Sequence, residues 1–153
     1  MGASYAPEKV MNGSYASMWI NTTFLGEGTE LEAKVALEKK EVNQANTLAK
    51  GYKIVGIDGK GKLKVNKISS YFINLIAANI KKGKTTSVTI KSTIEDPDVG
   101  ARETVTLKGV VFDDLTLINW KTKELIEEEY SFTFSDFEVN ESVKRKSQTR
   151  NLS

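Results

Sequence analysis

The stretch EEEYSFTFSDFEV, Glu127 to Val139, places Tyr130, Phe132 and Phe134 on one parity and Ser131, Thr133 and Ser135 on the other. Side chains of an extended chain point to alternate faces, so this is a strand with one aromatic face over an apolar layer and one hydroxylated face. Phe137 and Val139 then fall on the opposite parity. That switch demands a bulge at Ser135 to Asp136, or a strand that turns its other face to a partner.

Working outward, the same alternation recurs. Val88, Ile90 and Ile94 alternate with Thr89, Lys91 and Thr93, and Val105 and Leu107 alternate with Thr104, Thr106 and Lys108. Asp96-Pro97-Asp98-Val99-Gly100 between them is a turn, so the pair reads as a hairpin. From Val110 to Phe112, and at Leu115, Leu117, Ile118 and Trp120, both parities become apolar, which predicts strands covered on two faces by the helix or by neighbouring subunits. Upstream, Tyr15, Met18, Trp19 and Ile20 mark a first strand ended by Gly26-Glu27-Gly28. Leu31, Ala33, Val35 and Leu37 make a second. Asp58-Gly59 reads as a tight turn joining strands Tyr52 to Ile57 and Lys62 to Val65. Asn43 to Lys50 is a polar loop, long for a hairpin, of the kind that either moves or binds.

One segment is helical. Phe72, Ile73, Ile76, Ala77 and Ile80 form a stripe, Ser69 or Ser70 stands at the cap, and Lys81-Lys82-Gly83 ends it with cations and a glycine. The expected fold is therefore mainly β: a single barrel or sandwich of antiparallel strands with one flanking α-helix over about residues 70–82. An N-terminal arm (1–13) precedes the β domain (14–142), and a basic tail (143–153) carrying Lys144, Arg145, Lys146 and Arg150 follows it.

With 153 residues the chain is the size of one domain, able to bury roughly 70% of its unfolded surface without a staple. It has no cysteine and no histidine, which excludes thiol nucleophiles, disulfides, Cys/His zinc sites and Ser-His-Asp triads. Its 22 basic and 20 acidic residues nearly balance, so any charged function is local. No apolar run is long enough for a membrane span, and the start lacks a secretion signal, so the expectation is a cytoplasmic origin without membrane anchoring. Asn21-Thr22-Thr23 and Asn140-Glu141-Ser142 are then polar turns rather than glycosylation sites.

Gly56-Ile57-Asp58-Gly59-Lys60-Gly61-Lys62 satisfies half of a phosphate-binding loop. Leu63 follows where a hydroxyl would hold magnesium, and a strand pattern follows where a helix should, so nucleotide binding is rejected. The carboxylates Asp96/Asp98, Asp113/Asp114 and Glu127 to Glu129 have no third ligand set. Turn chemistry explains the first two pairs, and protection of an aromatic strand explains the last. No catalytic, cofactor or metal site is expected.

The capped helix SSYFINLIAANIKKG, the segment SVTIKSTIEDPDVGARETVTLKGVVFDD and the ending LIEEEYSFTFSDFEV, in that order, resemble the tail-tube proteins of contractile phage tails, in the branch of PBSX-type prophage particles and R-type bacteriocins. The resemblance extends more loosely upstream through LEAKVALEKKEVNQANTLAKGYK. It implies hexameric rings stacked into a hollow tube, a conduit for DNA or for membrane puncture. The implied partners are the sheath, tape-measure, baseplate and tail terminator proteins, and the implied location is a virion tail or bacteriocin particle assembled in a bacterial cytoplasm. It also implies that the N-terminal arm (Tyr5, Val10, Met11) and the long loop (Asn43, Gln44, Asn46, Leu48, Lys50) reach adjacent subunits. The alternative is a small β-barrel binding single-stranded nucleic acid through the basic tail, Trp19, Trp120 and the aromatic strand.

Overall fold

A computed structural model of the chain describes residues 16–43, 49–98 and 100–142. The N-terminal arm and basic tail lie outside them, as do Tyr5, Val10, Met11, Gln44, Asn46 and Leu48. The described chain runs β1 (Ala16–Ile20), β2 (Thr23–Phe24), β3 (Gly28–Val42), β4 (Gly51–Asn66), α1 (Tyr71–Lys81), β5 (Val88–Asp96), β6 (Ala101–Phe112), β7 (Glu127–Phe134) and β8 (Asp136–Glu141). Every strand pairing is antiparallel. The strand order is β2-β1-β5-β6-β7-β4-β3, with β8 also on β6. The ends β2 and β3 do not pair, so the sheet folds over as an open sandwich rather than closing as a barrel.

The aromatic face read from the sequence is the core. Tyr130, Phe132 and Phe134 are buried and every intervening residue of β7 after Glu128 is exposed. Phe72 of α1 stacks on Tyr130 with ring centroids 4.3 Å apart, and Phe112 of β6 meets Phe72, Tyr130 and Phe132 edge-on. Each large side chain so buried contributes about 1.5–3 kcal/mol. Opposite the rings β4 carries glycines: Gly59 pairs with Phe134 and Gly61 with Phe132. A Cβ on Gly61 would stand 2.4 Å from the Phe132 ring and 2.5 Å from the Glu32 carbonyl oxygen. The glycines thus make room for rings across the strand.

That arrangement overturns the short hairpin expected at Asp58-Gly59. β4 is one strand of 16 residues, and Asp58 and Gly59 sit in its middle opposite Ala36 and Val35.

The parity switch at Ser135 is a real break. β7 pairs with β4 and with the last residues of β6, whereas β8 pairs with Thr104–Lys108 of β6. The chain changes sheets at a corner closed by the Ser135 amide donating to the Lys108 carbonyl oxygen at 3.1 Å. Gly109 makes the corner possible, with φ +65° and Ser135 where a Cβ would go. The expectation of strands covered on two faces holds only for Val110 to Phe112, beside this corner. Residues 113–126 form no strand, and Leu117, Ile118 and Trp120 are exposed.

α1 matches its prediction, with Phe72 and Ile76 buried, Lys81 in the last turn and Gly83 at φ +67° beyond it. Ser70 occupies the cap position without a side-chain capping bond, and Ile80 at the stripe's end stays exposed. The β5–β6 hairpin is also as read. Its turn is held by the Asp98 amide donating to Asp96 Oδ1 at 3.0 Å and the Gly100 amide donating to the Asp96 carbonyl oxygen at 2.9 Å. Asn21 lies in the β1–β2 turn, while Asn140 lies within β8 and accepts a hydrogen bond from Thr106 rather than forming a turn.

Candidate assembly surface

β4 has two different halves. From Gly59 to Asn66 it lies between β3 and β7; from Gly51 to Asp58 its only strand neighbour among the described residues is β3. The second half with its partner, up to Val42, is therefore a two-stranded ribbon projecting past the end of β7. Its ladder continues through Leu37–Ile57, Lys39–Ile54 and Glu41–Tyr52, with an irregularity between Glu38 and Lys39 that leaves Val55 as the extra residue.

The inward parity of the supported half carries Leu31 and Val35 on β3 and Leu63 and Val65 on β4, all packed in or against the core. Along the ribbon apolar residues continue without a covering layer among the described residues. Leu37, Tyr52, Ile54, Val55 and Ile57 are 46–66% exposed. An isolated two-stranded ribbon is marginal in water, and an exposed apolar strand face is a template for association. Asn43 and Lys50 stand at its described tip, both exposed, with Lys50 Nζ 3.5 Å from Glu41 Oε1. Sequence reading placed Asn43 and Lys50 in a loop between two strands and missed the length of the second strand. The signal was partly there, as Leu37 prolongs the alternation of β3 and Ile57 that of β4, but the false turn at Asp58-Gly59 cut it and the extra residue Val55 reverses the parity beyond it.

The opposite face of the supported sheet is charged and internally paired. Glu30 on β3 reaches Lys62 at 3.8 Å and Lys64 at 3.4 Å on β4, Lys34 reaches Glu32 at 3.1 Å, and Lys60 reaches Asp58 at 3.7 Å. Such exposed pairs are worth little individually, but they keep the face wet and nearly neutral.

Glu128 extends the aromatic row of β7 on its buried side. The Tyr130 hydroxyl donates to Glu128 Oε2, and Lys67 Nζ lies 3.5 Å from Oε1. Burial first, and the Glu128 carboxylate second, push the Tyr130 hydroxyl well above its ordinary pKa. The acidic run is therefore not only a guard of the strand. Its middle member is a buried acidic side chain that accepts from Tyr130 and lies beside Lys67.

Asp96 and Asp98 are spent on their turn, and no group of three or more acidic residues able to hold a metal occurs among the described residues. Tyr130, Phe132 and Phe134 are buried, so the aromatic strand offers no stacking platform for bases, contrary to the nucleic-acid alternative. No described helix is long and apolar enough to cross a membrane.

Among the described residues the chain is an open antiparallel sandwich with one helix, a charged face and a ribbon whose apolar side chains are exposed, the class of β domain that leaves sheet surface to be covered. The phage tail tube protein family matches residues 3–141, and the chain belongs to that family. It is similar to the phage-like element PBSX protein XkdM of Bacillus subtilis (strain 168), 30% identical over 138 residues that cover 89% of this chain and 94% of the relative. The fold is similar to the cap of the anti-feeding prophage at a TM-score of 0.66 and 9% identity, covering 93% of this chain and 100% of that one. It is likewise similar to a chain of the PVC extracellular contractile injection system sheath–tube complex, with a TM-score of 0.65 and 9% identity, covering 94% of this chain and 99% of that one. The family likeness expected from the helix, the β5–β6 hairpin and the acidic-aromatic strand therefore holds, and the family is a structural one.

Proposed function

We propose that six copies of this chain close into a ring and that rings stack into the hollow tube of a phage or phage-like contractile particle. The observation that carries this reading is the β3–β4 ribbon, whose apolar face finds no cover within the described chain of a tail tube family member. A neighbouring subunit supplies the missing layer, and the N-terminal arm and the residues from Asn43 to Lys50 add to the same contacts. The charged face of β3 and β4 suits the wall of a water-filled bore, because its ion pairs are already satisfied and leave no strong single-sign field to hold a passing polyanion or protein.

The tube acts as a conduit and performs no bond chemistry. It would be surrounded by a sheath, bounded by baseplate and terminator proteins and measured by a tape-measure protein, and it would carry DNA or puncture a membrane when the sheath contracts. The likeness to a chain of a sheath–tube complex supports the sheath among these partners, and the likeness to a tube-terminating cap supports the terminator. The particle would be assembled in a bacterial cytoplasm. Negative-stain microscopy of the purified chain across concentration and salt is expected to show rings or tubes with sixfold end views. Isolated particles under every condition, including after addition of a baseplate complex as a template, would overturn the reading.

A further inference from the structure

Beside the last turn of α1 the surface has a groove of about 220 Å³. Ile76 and Ile80 of α1 line one side, and Val111, Phe112 and Leu115 line the other. Asp113 and Asp114 also line it, against one cation, Lys84. Both aspartates are exposed, and neither takes part in an ion pair among the described residues. The floor is fixed, because Ile76 is buried and Phe112 and Leu115 pack against the core, while Ile80 stays 56% exposed. Pockets that take a whole small molecule begin at about 300 Å³, so this one suits a single aliphatic side chain with a cation beside it.

Residues 143–153 supply that combination. They carry Lys144, Arg145, Lys146 and Arg150 with no acid, and Leu152 stands two residues after Arg150. In an extended chain those two side chains point to one side, so the leucine can enter the groove while the guanidinium meets the carboxylates on its rim. The N-terminal arm fits less well, because Glu8 cancels Lys9. The family match stops at residue 141 and leaves the tail unexplained. Reach decides whose tail it is. Glu141 pairs with Thr104, and β8 runs away from the Val111 end of β6. The way back from Thr104 to Val111 is roughly 23 Å of strand. From Glu141 to Arg150 the chain spans at most roughly 30 Å. A tail reaching its own groove would have to reverse at once and stay fully stretched, whereas a second copy lying alongside imposes neither.

We infer that this groove is the seat for residues 150–152 of a second copy, with Leu152 on the apolar floor and Arg150 on Asp113 and Asp114. One buried side chain and one exposed ion pair make a weak contact, which repetition between neighbouring copies strengthens. The inference goes beyond the tube reading and does not depend on how rings close or stack.

Absence of cysteine makes the test direct. Thr85→Cys, at an exposed residue lining the groove, and Ser153→Cys, beside Leu152, alter neither proposed contact. Full chains carrying one or the other, mixed at high concentration with a short bis-maleimide, are expected to give a covalent dimer that neither variant gives alone. Leu152→Ser in the second chain, or Asp113→Asn/Asp114→Asn in the first, is expected to lower the yield about tenfold, with folding checked by circular dichroism. Asp114→Arg is expected to abolish the dimer and Arg150→Asp in the opposing chain to restore it, a rescue that a merely structural role would not give. No mixed dimer would overturn the inference, and tubes in the same sample would leave the proposed function standing. A cross-linked monomer from a chain carrying both cysteines, with no dimer from the mixture, would overturn it in favour of a contact within one copy. Yields indifferent to Leu152, Asp113 and Asp114 would overturn it as well.

Discussion

The two halves of β4 belong to one strand and meet opposite fates. Between Gly59 and Asn66 the strand is sandwiched, its glycines lie opposite the rings of Phe132 and Phe134, and Leu63 and Val65 are buried. Between Gly51 and Asp58 it has one strand neighbour among the described residues, and Tyr52, Ile54, Val55 and Ile57 are exposed. Apolar periodicity specifies that a face is to be covered, not by which chain. The supported half is a matter of folding, and the ribbon, on the function proposed above, a matter of assembly.

The comparison is broken most severely at Phe132, which is fully buried among Phe112, Phe134 and Gly61. Phe132→Ala is expected to cost about 3–5 kcal/mol by urea denaturation, because the cavity it leaves is walled by other rings and cannot collapse. Next comes Gly61→Ala, whose new Cβ would meet the Phe132 ring and a backbone oxygen of Glu32 at once. Only backbone movement relieves the second contact, so a loss of about 2–3 kcal/mol is expected in the same measurement. Costs near zero for either variant would mean that the supported half is no better packed than the ribbon.

Much of the supported half was legible because its information is local. Tyr130, Phe132 and Phe134 declare their face by parity, Ser135 declares the corner by reversing it, and Ser70 to Gly83 carries a full helix with its stops. Asp58-Gly59 misled because glycine has two uses that look alike in sequence. A glycine can turn a chain, or it can leave room for a ring across the sheet, and the ring in question, Phe134, lies far along the chain. Leu117, Ile118 and Trp120 misled for a related reason. Apolar residues on both parities were read as strands with two covers, when their cover is not part of this chain's own core. Glu128 was invisible as a buried acid, since only the fold brings Lys67 to its carboxylate.

At the end of the supported half, Tyr130 ties Glu128 into the core. Tyr130→Phe removes a donor from a buried carboxylate and is expected to cost about 1–3 kcal/mol at pH 7. The pH dependence identifies the cause. The folded hydroxyl has a raised pKa, so it keeps its proton where the unfolded chain, ionising near 10.0, loses it. Its contribution is fully present below pH ~10 and declines above that by about 1.4 kcal/mol per pH unit. Denaturation at pH 8, 10 and 11 should therefore show the gap between native chain and variant narrowing as pH rises. A gap independent of pH would assign the loss to packing alone.

The smallest effect is expected in the ribbon, at Gly56, and it is the sharpest contrast with Gly61. A Cβ on Gly56 would stand 2.9 Å from Glu38 Oε2, the far end of a flexible side chain that can swing into water, and 3.4 Å from Glu38 Cδ. No ring and no backbone atom blocks it, and the substitution removes conformational freedom from the unfolded chain. Gly56→Ala is thus expected to shift the stability of the dispersed protein by no more than about 0.5 kcal/mol, in either direction. The same urea titration that measures Gly61→Ala measures it. Equal and large losses at the two glycines would mean that the ribbon is packed within one copy after all, and the distinction between a half built by folding and a half completed by neighbours would fail.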